Sequence, residues 1–239
     1  MKSPGRRQAP KRGAITAKIT NTASTVTSHF NMIELYTWST PNGRKISIML
    51  EECGLPYNVH KINIGTNTEQ FAPEYLKINP NGKIPSIVDP DGPDGKPMAM
   101  MESGAILLYL AGKTNRFLPR SVRGKYEALQ WLMFQMGGVG PMFGQAHHFM
   151  RAKKDEIPYG SERYGNEAKR LYGVMDKHLA SHKFFADEYS IADIAIYQWT
   201  ARHEWHRVDL KQFPNVKRWF DAISLRPGVI KGMQIPFMN

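Results

Sequence analysis

Asn79-Pro80-Asn81-Gly82-Lys83-Ile84-Pro85-Ser86-Ile87-Val88, followed after a turn by Glu102-Ser103-Gly104-Ala105-Ile106-Leu107-Leu108-Tyr109-Leu110, is the stretch that decides the fold. A strand entered through an X-Pro bond is joined to an apolar helix opened by an acidic-hydroxyl pair. X-Pro is the peptide bond that adopts cis at modest cost, and a cis bond there turns the preceding backbone toward a ligand. The N–H and C=O of Ile84 are then placed to pair with an extended peptide, as an added strand would. Ser103 and the unpaired N–H groups of the first helical turn suit a ligand carboxylate, and Glu102 beside them suits an ammonium. Carboxylate, ammonium and peptide backbone together describe the γ-glutamyl-cysteinyl part of glutathione.

Working outward, Ile33-Glu34-Leu35-Tyr36-Thr37 alternates as a strand. Ser39-Thr40-Pro41-Asn42-Gly43 is a turn or helix entry. A helix is expected from Arg44 to Cys53, stopped by Gly54 and Pro56. Residues 57–63 alternate again, 70–77 form a short helical piece, and 84–88 and 97–101 are strands around the turn at 91–95. A helix follows over 103–111. The order β-α-β-(α)-β-β-α implies a parallel opening pair. Beyond Pro119 strand signals cease, and helices are expected over 122–136, 159–180, 190–205 and 214–224. Gly137-Gly138-Val139-Gly140-Pro141 reads as a break between the first two. Ser190-Ile191-Ala192-Asp193 has the form of a capping box and reads as structural.

Composition bounds the reading. The 239 residues, 41% apolar, suffice for one large domain or two small ones with a substantial core. No run of about 18 apolar residues exists, which argues against a membrane-spanning helix. A single cysteine excludes an internal disulfide framework and fits a reducing compartment. Any chemistry between two sulfurs must therefore borrow at least one from a ligand. The net charge of +11 is uneven: residues 1–33 hold six basic residues and no acid, leaving +5 for everything after them. That extension is rich in Ser, Thr, Ala and Pro and reads as disordered, with a targeting peptide as the alternative. Pro4 and Pro10 weaken an amphipathic targeting helix, so a cytoplasmic location is expected. Nucleic acid and membrane are not expected partners.

These blocks together resemble the cytosolic glutathione transferases. That resemblance implies an α/β thioredoxin-like N-terminal domain over 33–115 and an all-α C-terminal domain over 120–239, after an extension over 1–32. Thr40-Pro41-Asn42-Gly43-Arg44-Lys45-Ile46 is similar to the Nu-class, disulfide-bond-oxidoreductase branch. So are Gly137-Gly138-x-Gly140-Pro141-Met142, Gly144-Gln145-x-His147-His148-Phe149 and Ile157-Pro158-Tyr159-x-x-Glu162-Arg163-Tyr164. The resemblance runs from about Ile33 to Pro227.

What it implies is a glutathione site. Glu102 and Ser103 would hold the γ-glutamyl end and the Ile84 backbone the cysteinyl unit. Gln70 would reach the glycyl end, with Lys83 and Pro85 in the same set. Thr40 and Asn42 would stand nearest the sulfur, where a helix N-terminus and hydrogen bonds lower a thiol pKa from about 8.5. Arg163 would reach across a homodimer into the neighbouring site. Thr40 and Asn42 also read as plain helix caps. Tyr36 reads as strand packing, Ser39 as a runner-up at the sulfur, and Cys53 as a buried inert thiol. Adjacent His147 and His148 face apart and do not suggest a metal. Phe143, Phe149 and Trp205 are candidates for an apolar acceptor wall or for core.

The expected function is glutathione-dependent reduction of disulfides, with glutathione as co-substrate and no metal. Conjugation to electrophiles or reduction of organic hydroperoxides is the alternative, and a non-enzymatic glutathione-binding regulatory module the third.

Overall fold

The computed structural model describes residue 1, residues 32–152 and residues 157–237. The basic extension expected over 1–32 therefore lies, apart from its two end residues, outside the described residues.

Strand β1 (Ile33–Thr37) alternates buried and half-buried positions, with Leu35 and Thr37 fully enclosed. It runs parallel to β2 (Tyr57–Lys61), reached through helix α1 (Pro41–Cys53), so the expected parallel pair is present. Strands β3 (Ser86–Asp89) and β4 (Met98–Met101) continue antiparallel, giving the sheet order β2-β1-β3-β4. Helices α2 (Pro73–Ile78) and α3 (Ser103–Thr114) complete a thioredoxin-like α/β part.

Helix α1 starts three residues ahead of the expected Arg44. Thr40 is extended at the cap, and its hydroxyl accepts the Gly43 N–H at 3.1 Å. Pro41 takes the first helical position, where a missing N–H costs nothing. Gly54 closes the helix in the left-handed region at φ 69°.

The helical part comprises α4 (Val122–Phe134), α5 (Gly140–His147), α6 (Pro158–Leu179), α7 (Ile191–Thr200), α8 (Pro214–Ser224) and α9 (Pro227–Gly232). The break expected at 137–141 does not occur. Gln135–Val139 winds as a π turn, and Val139 and Gly140 keep helical dihedrals, so α4 runs on into α5. A widened turn accommodates Pro141, whose ring and missing N–H would disrupt a regular one. The helix expected over 190–205 ends at Thr200, and a separate 3₁₀ turn covers His203–His206.

Helix α9 was not anticipated. It packs on α1: Ser47 Oγ donates to the Gly232 carbonyl at 2.7 Å, and Arg226 pairs twice with Glu52 at 2.7 and 2.9 Å. One apolar core runs through both parts, from Leu35, Ile87 and Ile106 to Phe143, Tyr172 and Trp219. At its helical end, the buried Asp193 accepts Phe185 N–H, Ser190 N–H, Ser190 Oγ–H and Trp219 Nε1–H at 2.8–3.1 Å. Burial pushes Asp193 up to about 6 against the opposing pull of those donors. The motif is structural, as its sequence suggests.

Candidate functional site

The end of the sheet, where β1 and β2 finish and β3 begins, and the helical part enclose a cleft of about 600 Å³. The α/β side contributes Ser39, Thr40, Asn42, Gln70, Lys83 and Ile84; the helical side contributes His147, Trp199 and Trp205. Residues up to 167 positions apart in the chain, Trp38 and Trp205, thus converge around the first turn of α1.

At that turn two polar groups are left facing the cleft. Thr40 Oγ1 is committed as acceptor to Gly43, which leaves its O–H to donate. The cap and the cleft contact are therefore compatible functions of one hydroxyl. Trp199 Nε1 donates to Asn42 Oδ1 at 3.2 Å. Indole N–H only donates, so the bond assigns the Asn42 oxygen and leaves its amide N–H₂ as donor. Two donors at the positive end of a helix suit a thiolate or other anion.

The Ile84–Pro85 bond is cis. Strand pairing begins only at Ser86, so the Ile84 backbone stands outside the ladder while its side chain is buried. The turn before it is braced by Tyr75 Oη, which donates to the Lys83 carbonyl at 2.6 Å, and by the Asn79 amide on the same oxygen. Gln70 is nine-tenths buried, and its Oε1 has no hydrogen-bond partner among the described residues. A buried orphan acceptor at a cleft wall suits a ligand donor.

Glu102 and Ser103 do not line this cleft. They connect to it through Lys45, which sequence reading passed over. Lys45 is buried at an inward position of α1, and its Nζ donates to Ser103 Oγ at 3.2 Å and to Gln135 Oε1 at 2.7 Å. Burial draws the Lys45 pKa down to about 7, against the upward pull of the Glu102 carboxylate. Lys45 also lines a recess of about 550 Å³ with Asn42, Lys83 and Trp199 that adjoins the cleft. Glu102 itself is exposed and sits at φ 67°, a region side chains rarely adopt and one concentrated at ligand sites. The clue to Lys45 lay in its place on the apolar face of α1. Nothing local marked Trp199, 157 positions from Asn42.

The remaining candidates separate clearly. Arg163 lines another recess, with Met142, Tyr164 and Glu167. Tyr36 stacks on His60 at 4.6 Å within the sheet. Cys53 is half-buried against Thr114, and burial pushes its thiol up. Phe143 is core, stacked on Tyr172, and Phe149 stacks on Tyr164, whereas Trp205 does line the cleft. His147 is half-buried and His148 exposed. Among the described residues no group of three metal-ligating side chains occurs, and no helix is long and apolar enough to cross a membrane.

Residues 40–113 match the model of the glutathione S-transferase N-terminal domain, and residues 141–227 that of the C-terminal domain. The disulfide-bond oxidoreductase YfcG of Escherichia coli is 49% identical over 198 residues, covering 82% of this chain and 92% of its own length. The chain belongs to the glutathione S-transferase family. A glutathione transferase of Pseudomonas putida, solved with one glutathione disulfide per subunit, superposes with a TM-score of 0.83 at 46% identity, covering 88% and 94% of the two chains. One from Burkholderia graminis, solved with two glutathione molecules per subunit, gives 0.82 at 45%, covering 90% and 92%.

Proposed function

We propose that this transferase-family protein is a glutathione-dependent disulfide reductase. The observation that carries it is the pair of donors at the α1 N-terminus, the Thr40 hydroxyl and the Asn42 amide oriented by Trp199, in a cleft from which Cys53 is absent. The glutathione thiolate would rest on these donors, its cysteinyl backbone on Ile84, its glycyl end near Gln70 and Lys83, and its γ-glutamyl end at Glu102 and Ser103. The structures solved with glutathione and its disulfide support that ligand.

The chemistry needs no protein sulfur. The bound thiolate attacks one sulfur of the acceptor, forming a mixed disulfide and expelling the other as thiolate. A second glutathione thiolate then attacks the glutathione sulfur of that mixed disulfide. Glutathione disulfide forms, and the second acceptor thiolate departs. Two glutathione thiols supply two electrons, and two protons pass to the released thiolates. The protein contributes position and thiolate stabilisation.

A Cys53→Ala protein should reduce 2-hydroxyethyl disulfide with glutathione at the wild-type rate; loss of that activity in a folded variant would overturn the mechanism. Conjugation to aromatic electrophiles is the second reading, favoured by the indoles of Trp199 and Trp205 in the wall. Parallel assays with a chloronitrobenzene and a hydroperoxide rank the reactions. Arg163, outside its own cleft, is assigned to the cleft of a second copy in a homodimer. Arg163→Ala should weaken glutathione binding without altering the melting temperature.

A further inference from the structure

Lys45 is buried and titratable, and the reaction proposed above makes no use of it. Its Nζ lies 3.2 Å from Ser103 Oγ, 2.7 Å from Gln135 Oε1 and 3.7 Å from Met136 Sδ. All three partners are neutral, and among the described residues no carboxylate forms an ion pair with it. Glu102, preceding α3, acts on it only as a nearby charge, and Lys83, Gln145 and Trp199 line the same recess. A buried ammonium without a counter-charge is costly, and burial accordingly draws Lys45 down to about 7. An anion brought beside it offsets that cost.

The Ser103 hydroxyl is the link to such an anion. An ammonium has three donors and no lone pair, so it holds the Ser103 oxygen strictly as an acceptor. The hydroxyl proton then points away from Lys45. Its partner there is the Met136 thioether at 3.8 Å, a weak acceptor that a carboxylate outcompetes. A neutral amine has a lone pair, which can accept that proton and turn the hydroxyl inward. The charge on Lys45 thus decides whether Ser103 presents a donor.

We infer that Lys45 is a positioning residue that couples glutathione binding to proton uptake: its ammonium aims the Ser103 hydroxyl at the γ-glutamyl carboxylate, and the bound carboxylate in turn holds the proton on Nζ. The inference rests on the glutathione reading, with the γ-glutamyl end at Ser103. The proton comes from solvent and returns there when the ligand leaves. By linkage, protonation and binding favour one another equally.

The test uses S-methylglutathione, whose blocked sulfur carries no proton and so removes thiol ionisation from the measurement. Calorimetry at pH 8, in buffers of differing ionisation enthalpy, should show wild type taking up close to about one proton per bound ligand. Its affinity should fall about fivefold from pH 7 to pH 8, as a group titrating at about 7 loses its proton. Lys45→Arg carries a fixed charge and should bind with a flat pH profile and no uptake. Lys45→Met should bind about tenfold more weakly than wild type at pH 7, again without uptake. Ser103→Ala keeps the lysine and should lower affinity and uptake together. Absence of uptake by wild type, or uptake that persists in Lys45→Arg and Lys45→Met, overturns the inference and leaves the glutathione reading standing. If the Lys45 variants do not fold, the wild-type and Ser103→Ala measurements decide it: equal uptake by the two overturns it. Failure of wild type to bind S-methylglutathione at pH 7 overturns the glutathione reading and the inference with it.

Discussion

Trp199 Nε1 donates to Asn42 Oδ1 across 3.2 Å, tying α7 of the helical part to the first turn of α1. The bond sets which end of the Asn42 amide meets the cleft, so the helical part orients a group of the α/β part. Trp199→Phe keeps the ring and removes the donor. It should lower kcat/KM for disulfide reduction by about tenfold, equivalent to about 1.4 kcal/mol, with little change in melting temperature. Combining it with Asn42→Ala should add almost nothing to Asn42→Ala alone. Fully additive losses would show that the two residues act separately.

Lys45 makes stability depend on alkaline pH. Its folded pKa of about 7 lies below the ordinary 10.5. Between those values the unfolded chain binds more protons than the folded one, so stability rises with pH across that window and is lost as pH falls toward 7. The slope contributed by this group approaches about 1.4 kcal/mol per pH unit at most. Denaturant unfolding of wild type and Lys45→Met at several pH values should show the difference between them changing through that window. A constant difference would refute the shift.

Asp193 receives four hydrogen bonds with no exposure to water. Asp193→Asn turns one acceptor into a donor that faces other donors, and should cost about 3 kcal/mol. Denaturant midpoints measure it. Glutathione affinity of the folded fraction should stay near wild type, because the carboxylate lies outside the cleft.

Gly43 has no room for a side chain: a Cβ would strike Thr37 Oγ1 and the Trp38 carbonyl. Gly43→Ala must displace the loop that presents Ser39 and Thr40. Reductase activity should fall by at least about tenfold, by misplacement of the reacting groups, while far-ultraviolet circular dichroism remains native. Wild-type turnover would show the loop to be more yielding than this packing indicates.

Much of the fold was legible because local physics agrees with the global arrangement. Alternation in Ile33–Thr37, the Gly54 stop and the Ser190–Asp193 box each recur in the structure at those residues. Where the reading failed, packing overrode a local signal. The run Gly137–Pro141 looks like a breaker, yet it is helical because Val139 within it and Leu132 and Phe143 on either side are all fully buried. Helix α9 was missed because six residues carry little periodicity. Its reason for being is α1, onto which Gly232 packs so closely that a Cβ would collide with Ile48.

The site divides the same way. The sequence by itself determined the parts that depend on neighbours in the chain: Thr40 capping Gly43, the Ile84–Pro85 turn, and Glu102 preceding the α3 helix. Those are set by hydrogen bonds and dihedral limits within a few residues. Only the tertiary structure decided that Trp199 orients Asn42 and that Lys45 bridges Ser103 and Gln135. Those contacts join residues 58 to 157 positions apart, brought together by burial of the common core, and burial leaves no periodicity in a sequence to show which distant partner a side chain will meet.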